Sequence, residues 1–209
     1  MSCAKYLLNC LSPPVYNCHV NAEIEAARQK HSAERIIPVL DVNRHCTLKV
    51  AEGHIRRLTG SSISDKRIIA VIRNPYTLEY SFYSHLQKKS VIERRTAKES
   101  ELIALAHGEF GEFVKYAGYH RAGLRQEDYF MIDGVIPPNV EIIRFESLEH
   151  EFRKVVAPYV QDSASGEFGR LNPSSYKQNL EDLLDAETKM NIYLKHKYIF
   201  DNYYQSEIP

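Results

Sequence analysis

The chain has 209 residues, enough for one sizeable hydrophobic core, and its 44% apolar and 26% charged residues are the proportions of an ordinary globular protein. Its 27 Lys plus Arg balance 27 Asp plus Glu, which argues against nucleic-acid binding through a general basic field and leaves room only for a local basic pocket. Four cysteines, Cys3, Cys10, Cys18 and Cys46, form no CxxC pair and no tight Cys/His cluster, so neither a zinc site nor a disulfide scaffold is indicated.

Ser2 to Leu11 carries Ala4, Leu7, Leu8 and Leu11 at helical spacing, and Pro13-Pro14 ends that element. The N-terminus lacks the basic-then-apolar order of a secretory signal, and no apolar run approaches the roughly 18 residues of a membrane span. Arg35 to Val42 reads as a strand in which Pro38 marks an edge or an irregularity. Residues 47 to 58 read as a helix with Leu48, Ala51, Ile55 and Leu58 on one face and Gly60 just past its end.

Ile68 to Ile72 is an unbroken apolar run, the pattern of a strand covered on both faces in a parallel sheet. Strand, helix and strand together predict a right-handed βαβ unit with parallel neighbours. Arg73 then stands at a strand's carboxyl end, before a helix starting at Pro75 or Tyr76 whose free N–H groups would favour an anion. Ser81 follows two helical turns later, and the Arg fork suits phosphate or sulfate. The same residue types also fit an ordinary strand, a turn capped by Asn74-Pro75 and an Arg paired to a neighbouring carboxylate.

The segment from Gln87 to Gln126 is polar and partly helical, with an apolar cluster at Phe110, Phe113, Val114 and Tyr116. Its charge run, KKSVIERRTAKESE, reads as a solvated face or as a surface meeting an anionic sugar. Asn139 to Phe145 is a further strand, and Glu149 to Tyr159 a helix. Arg144, at that strand's end, either assists a ligand or pairs with Glu146 or another acid. Ser163 to Ser175 is Gly/Ser-rich and reads as a loop. The last element runs from Leu180 to Tyr198, with Leu180, Leu183, Leu184, Met190, Leu194 and Tyr198 near helical register and Asp185 as a cap for its second part.

Arg73-Asn74-Pro75 followed by Ser81 and Tyr83 resembles the 3′-phosphate-binding segment of sulfotransferases. Further stretches resemble the carbohydrate-type members in the same order: His45-Cys46-Thr47 with Ala51, Ile55, Arg56 and Leu58; Gln126 to Phe130; Ile143 to Leu148; and Asp185 to Tyr204. The resemblance implies an α/β fold, a parallel β-sheet flanked by helices of the P-loop NTPase-like sulfotransferase kind, as a single domain over 1–209 with a helical insertion at about 87–126. It implies sulfate transfer from 3′-phosphoadenosine 5′-phosphosulfate to a hydroxyl of a carbohydrate, without a metal.

In that family the Arg and Ser of this segment hold the donor's 3′-phosphate, which assigns Arg73 and Ser81. The family opens with a strand and a Lys-containing, Gly-Thr-rich loop that grips the 5′-phosphosulfate. Met1 to Leu8 resembles only the end of that loop and the helix behind it, which assigns Ser2 to the donor and predicts an N-terminally truncated fold. Lys177, after the Gly/Ser-rich loop, corresponds to a basic segment folded over the nucleotide, although the family's Gly-rich signature is absent there. His45, at a strand end, is the candidate base; a loop histidine satisfied by hydrogen bonds fits equally. His19, His54 and His85 rank lower.

The resemblance implies either a soluble cytoplasmic form, as in bacteria, or a Golgi-lumen catalytic region. A noncatalytic relative that binds a nucleotide or a glycan is the alternative. A P-loop kinase would need GxxxxGK[ST], which the sequence lacks.

Overall fold

The computed structural model describes residues 15–17, 36–38, 46–93, 100–119, 123–160 and 179–209. The expected N-terminal helix and the loop at 163–175 lie outside these residues. The fold is α/β: short paired strands, with helices making up most of the described structure. The chain divides into two units, residues 1–71 with 128–173, and residues 72–127 with 174–209.

In the first unit, β1 (Val15–Asn17) and β2 (Ile36–Pro38) pair in parallel, Val15 opposite Ile36. Helix α1 (Leu48–Thr59) begins where Thr47 Oγ1 accepts the Val50 N–H at 3.4 Å. It ends at Gly60, whose φ of 67° is the left-handed conformation that glycine adopts without a Cβ penalty. Its inner face places Leu48, Ala51 and Ile55 in a buried cluster with Ile63, against which Cys46, Ile68, Ile132 and Val140 pack.

Strand β3 (Ile68–Ile72) pairs with β4 (Val140–Arg144), and helix α6 (Leu148–Val156) buries Phe152, Val155 and Val156. Asn139 Nδ2 reinforces the pairing by donating to the Ile63 and Lys66 carbonyls, 2.6 Å each. Between Ile132 and Val135, Asp133 and Gly134 both take positive φ, the requirement of a two-residue type I′ turn.

Two expectations are corrected here. Among the described residues β3 pairs with β4 and β2 with β1, so the predicted βαβ neighbours do not meet. Nor is β3 covered on both faces: Ile72 is fully buried, but Ile68 to Ala70 are half-buried and Val71 is 44% exposed. A continuous apolar run signals only that no residue is polar; a two-stranded pair leaves part of such a run open.

The second unit is helical and aromatic. It contains α2 (Pro75–Leu86), α3 (Lys89–Ile92), α4 (Ser100–Ala106), α5 (Phe110–Tyr116), α7 (Ala186–Lys195) and α8 (Lys197–Tyr203). Tyr83 contacts Phe110 and Phe113 edge-on with centroids 5.2 and 5.3 Å apart, and Tyr76 meets Phe200 at 5.1 Å, geometry that adds to simple area burial. Gly111 allows α5 and α7 to approach closely, since a Cβ there would lie 2.9 Å from Thr188 Oγ1.

Phe110, Phe113 and Val114 are buried as expected, whereas Tyr116, at the helix end, is 61% exposed. The predicted C-terminal helix is interrupted at Leu184 and again at His196. Asp185 caps the second piece as expected, accepting the Thr188 N–H at 2.7 Å. The interruptions reset the register, so Thr188 and Ile192 face inward while Met190 and Leu194 stay exposed.

Among the described residues this unit buries two carboxylates, Glu79 and Glu127. Glu79, on α2, is 1% exposed. Its Oε1 lies 2.6 Å from His196 Nε2, and Lys195 Nζ reaches both oxygens at 3.0 and 3.1 Å while also donating to the Ala117 carbonyl at 3.1 Å. Burial pushes the Glu79 carboxyl up, but the His196 hydrogen bond and the Lys195 charge outweigh it and hold the group below its ordinary value.

A pKa lowered in the folded state stabilises fully above the unfolded carboxylate value of about 4.3, and the stabilisation fades as pH falls through the folded value. Replacing Glu79 by Gln strands the buried ammonium, so Glu79→Gln is expected to cost about 3–5 kcal/mol at pH 7 in urea denaturation. The gap between parent and variant should narrow as the pH is taken below 4; a gap independent of pH contradicts the assignment.

Candidate functional site

The chain leaves β3 at Ile72, and Arg73 begins the turn into α2. Asn74 caps that helix: its Oδ1 accepts the Tyr76 N–H at 2.9 Å and the Thr77 N–H at 3.4 Å. Pro75 has no N–H to offer, and the Leu78 N–H bonds to the Asn74 carbonyl at 2.9 Å. The expectation that the first N–H groups of α2 face an anion is therefore corrected. Asn74, read from the sequence as part of a turn, consumes them.

Arg73 is held at three points. Its N–H donates to Gln126 Oε1 at 2.8 Å, its carbonyl accepts from Gln126 Nε2 at 2.9 Å, and its Nε donates to Thr77 Oγ1 at 3.0 Å. The Thr77 hydroxyl passes its own proton to the Asn74 carbonyl at 3.1 Å, leaving its lone pairs for Arg73. Ser81 lies one turn beyond Thr77, and residues four apart share a helix face. The packed side of α2 carries Tyr76, Glu79, Tyr80, Phe82, Tyr83 and Leu86, all buried; Thr77 and Ser81 are half-buried and His85 is exposed. The Arg73 guanidinium is thus pinned to the polar stripe on which Ser81 stands, an arrangement suited to a phosphate or sulfate.

The chain's end adjoins the same turn. Asn74 Nδ2 donates to the Glu207 carboxylate, and the Tyr76 hydroxyl donates to the Glu207 carbonyl at 3.0 Å. Burial, with the Glu207 charge second, pushes the Tyr76 hydroxyl above its usual value.

Of the residues singled out in the sequence, Arg73 bonds Thr77 through Nε, and Ser81 stands on α2 one turn beyond Thr77. Ser2, His45 and Lys177, like His19 and Tyr176, lie outside the described residues. Arg144 is exposed, and its backbone N–H donates to Glu151 Oε2 at 2.8 Å. Sequence reasoning missed Thr77, although its spacing of four from both Arg73 and Ser81 was visible. It also missed Gln126, whose position 53 residues from Arg73 gives no local signal.

An open pocket of about 280 Å³ in this unit is lined by Val114, Lys115, Ala117, Gly118, Tyr119, Asn191 and Lys195, none of them on the Arg73 stripe. Among the described residues no cluster of His, Cys, Asp and Glu is suited to a metal, and no helix is long and apolar enough to cross a membrane. Comparisons with protein-family models, curated proteins and solved structures found no match to this chain.

The cap generates a stability prediction. Asn74→Ala removes both side-chain bonds to the first turn of α2, and a loss of about 1–2 kcal/mol is expected in urea denaturation. An unchanged midpoint contradicts the capping role.

Proposed function

We propose that this chain is a sulfotransferase-like protein of P-loop NTPase-like fold that uses 3′-phosphoadenosine 5′-phosphosulfate to sulfate a hydroxyl, on a carbohydrate acceptor. The observation that carries the reading is the Arg73 guanidinium fixed by Thr77 on the helix face of Ser81. A pinned guanidinium and a hydroxyl one turn away are the donor types that a terminal phosphate needs, and the fork loses little freedom on binding. They fit the nucleotide's 3′-phosphate in the order the sequence resemblance assigns.

Bound there, the nucleotide supplies the sulfuryl group. Arg73 and Ser81 orient it through the 3′-phosphate, away from the reacting atom. Ser2 and Lys177 are assigned to the donor from the sequence, and His45 is assigned to take the proton of the acceptor hydroxyl, the role of a general base near neutral pH.

A second reading, a noncatalytic relative that binds a nucleotide or glycan, is favoured by one observation. Arg73, Thr77 and Ser81, the residues described at this site, carry donors suited to an anion, and none of the three is a base near neutral pH.

Calorimetric titration with 3′-phosphoadenosine 5′-phosphate separates these claims from their failure. The parent chain should bind; Arg73→Ala should weaken binding about 10- to 100-fold, the size of one charge-assisted contact, and Ser81→Ala less. Equal binding by parent and Arg73→Ala removes the site. Turnover with the sulfated nucleotide and a carbohydrate acceptor then decides between the two readings, and full turnover in His45→Ala eliminates that histidine as the base.

A further inference from the structure

A residue just past the end of a strand ordinarily gives up the paired N–H and C=O of the ladder to water. Arg73 does not, because a single side chain takes over the pairing. The Gln126 amide accepts the Arg73 N–H at 2.8 Å and donates to the Arg73 carbonyl at 2.9 Å. These are the two bonds that a hydrogen-bonded partner in an antiparallel ladder exchanges with the residue opposite. Only a primary amide offers a donor and an acceptor side by side in this way; a carboxylate lacks the donor and an ammonium lacks the acceptor.

The consequence concerns the guanidinium. An Arg side chain carries large rotamer freedom, and a site that must order it on binding loses affinity. Here the two ends of the residue are secured separately: Gln126 fixes the backbone, and Thr77 Oγ1 fixes Nε at 3.0 Å. The Thr77 contact is useful only while the Arg73 backbone stays in place, since movement about its φ and ψ swings Nε off the hydroxyl. We infer that Gln126 is the positioning residue of this anion site, acting through Arg73 without touching the ligand. The inference rests on the reading that Arg73 grips the 3′-phosphate.

The test is a double-mutant cycle read by calorimetry with 3′-phosphoadenosine 5′-phosphate, together with a spectroscopic signal that needs no ligand. Gln126→Met keeps the length of the side chain and deletes the amide; Gln126→Asn keeps the amide and withdraws it by one methylene, serving if the first variant does not fold. Either should weaken binding about 10-fold in the parent background and add nothing in the Arg73→Ala background, the mark of two residues acting as one.

Parent-like affinity in both Gln126 variants, with binding lost in Arg73→Ala, overturns the positioning role and leaves the site standing. Equal weakening in both backgrounds overturns it as well. If the parent does not bind, the reading of the site fails, and the positioning role is decided by the Arg73 Nε–H resonance in ¹H–¹⁵N spectra. That signal should be dispersed and slow to exchange in the parent and should be lost in Gln126→Met; persistence unchanged overturns the inference.

Discussion

The buried carboxylate of Glu79 pins the inward side of α2 to its partners on the C-terminal helices. A charge removed from water is tolerated only where opposite charge and hydrogen bonds replace its hydration. For Glu79 those partners, Lys195 and His196, lie at the carboxyl end of α7 and the junction after it. Rotating α2 by a quarter turn would separate the carboxylate from both. The aromatic residues select the same side: Tyr76, Tyr80 and Tyr83 share one face at i, i+4 and i+7, with Phe82 at its edge, so packing and the carboxylate agree. Among the described residues His196 Nδ1 has no hydrogen-bond partner, and Nε2 carries the proton that the Glu79 carboxylate accepts.

Once that face is set, the opposite stripe is set with it. Thr77 and Ser81 fall on the less buried side, and the Arg73 guanidinium is drawn onto it by a hydroxyl whose proton is already committed to the Asn74 carbonyl. The same turn satisfies its own backbone: Asn74 takes the first helical N–H groups, and Gln126 takes both polar groups of Arg73. The groups that the proposed site offers are therefore side chains. A site built from helix N–H groups recognises any anion by its charge; one built from a fixed planar fork and a hydroxyl asks for two oxygen directions at once.

What was legible in the sequence was local. Thr47 and Gly60 bracket α1 because capping chemistry is written at the helix's own ends, and Asp185 caps α7 for the same reason. The place of Arg73 just before the helix and of Ser81 on it was legible, because the strand and the helix start are both written locally. Glu79 was not, since an acidic residue inside a helix ordinarily reads as a solvent-facing position, and its partners lie more than 110 residues away. The pairing of Gln126 with Arg73 left no local signal either, because 53 residues separate them. The register of α7 was misjudged because the chain breaks at Leu184 and the helix restarts after Asp185, so one helical period does not run through the whole segment. The strand pairing was misjudged because an apolar run does not say how many neighbours a strand has.

The claim on which the account turns is that the α2 stripe grips a terminal phosphate. A crystal structure of the chain grown with 3′-phosphoadenosine 5′-phosphate tests it directly. The account predicts the 3′-phosphate within hydrogen-bond distance of both the Arg73 guanidinium and the Ser81 hydroxyl, with the Gln126 amide still paired to the Arg73 backbone. A nucleotide bound elsewhere, with Arg73 contacting only protein groups, would contradict it.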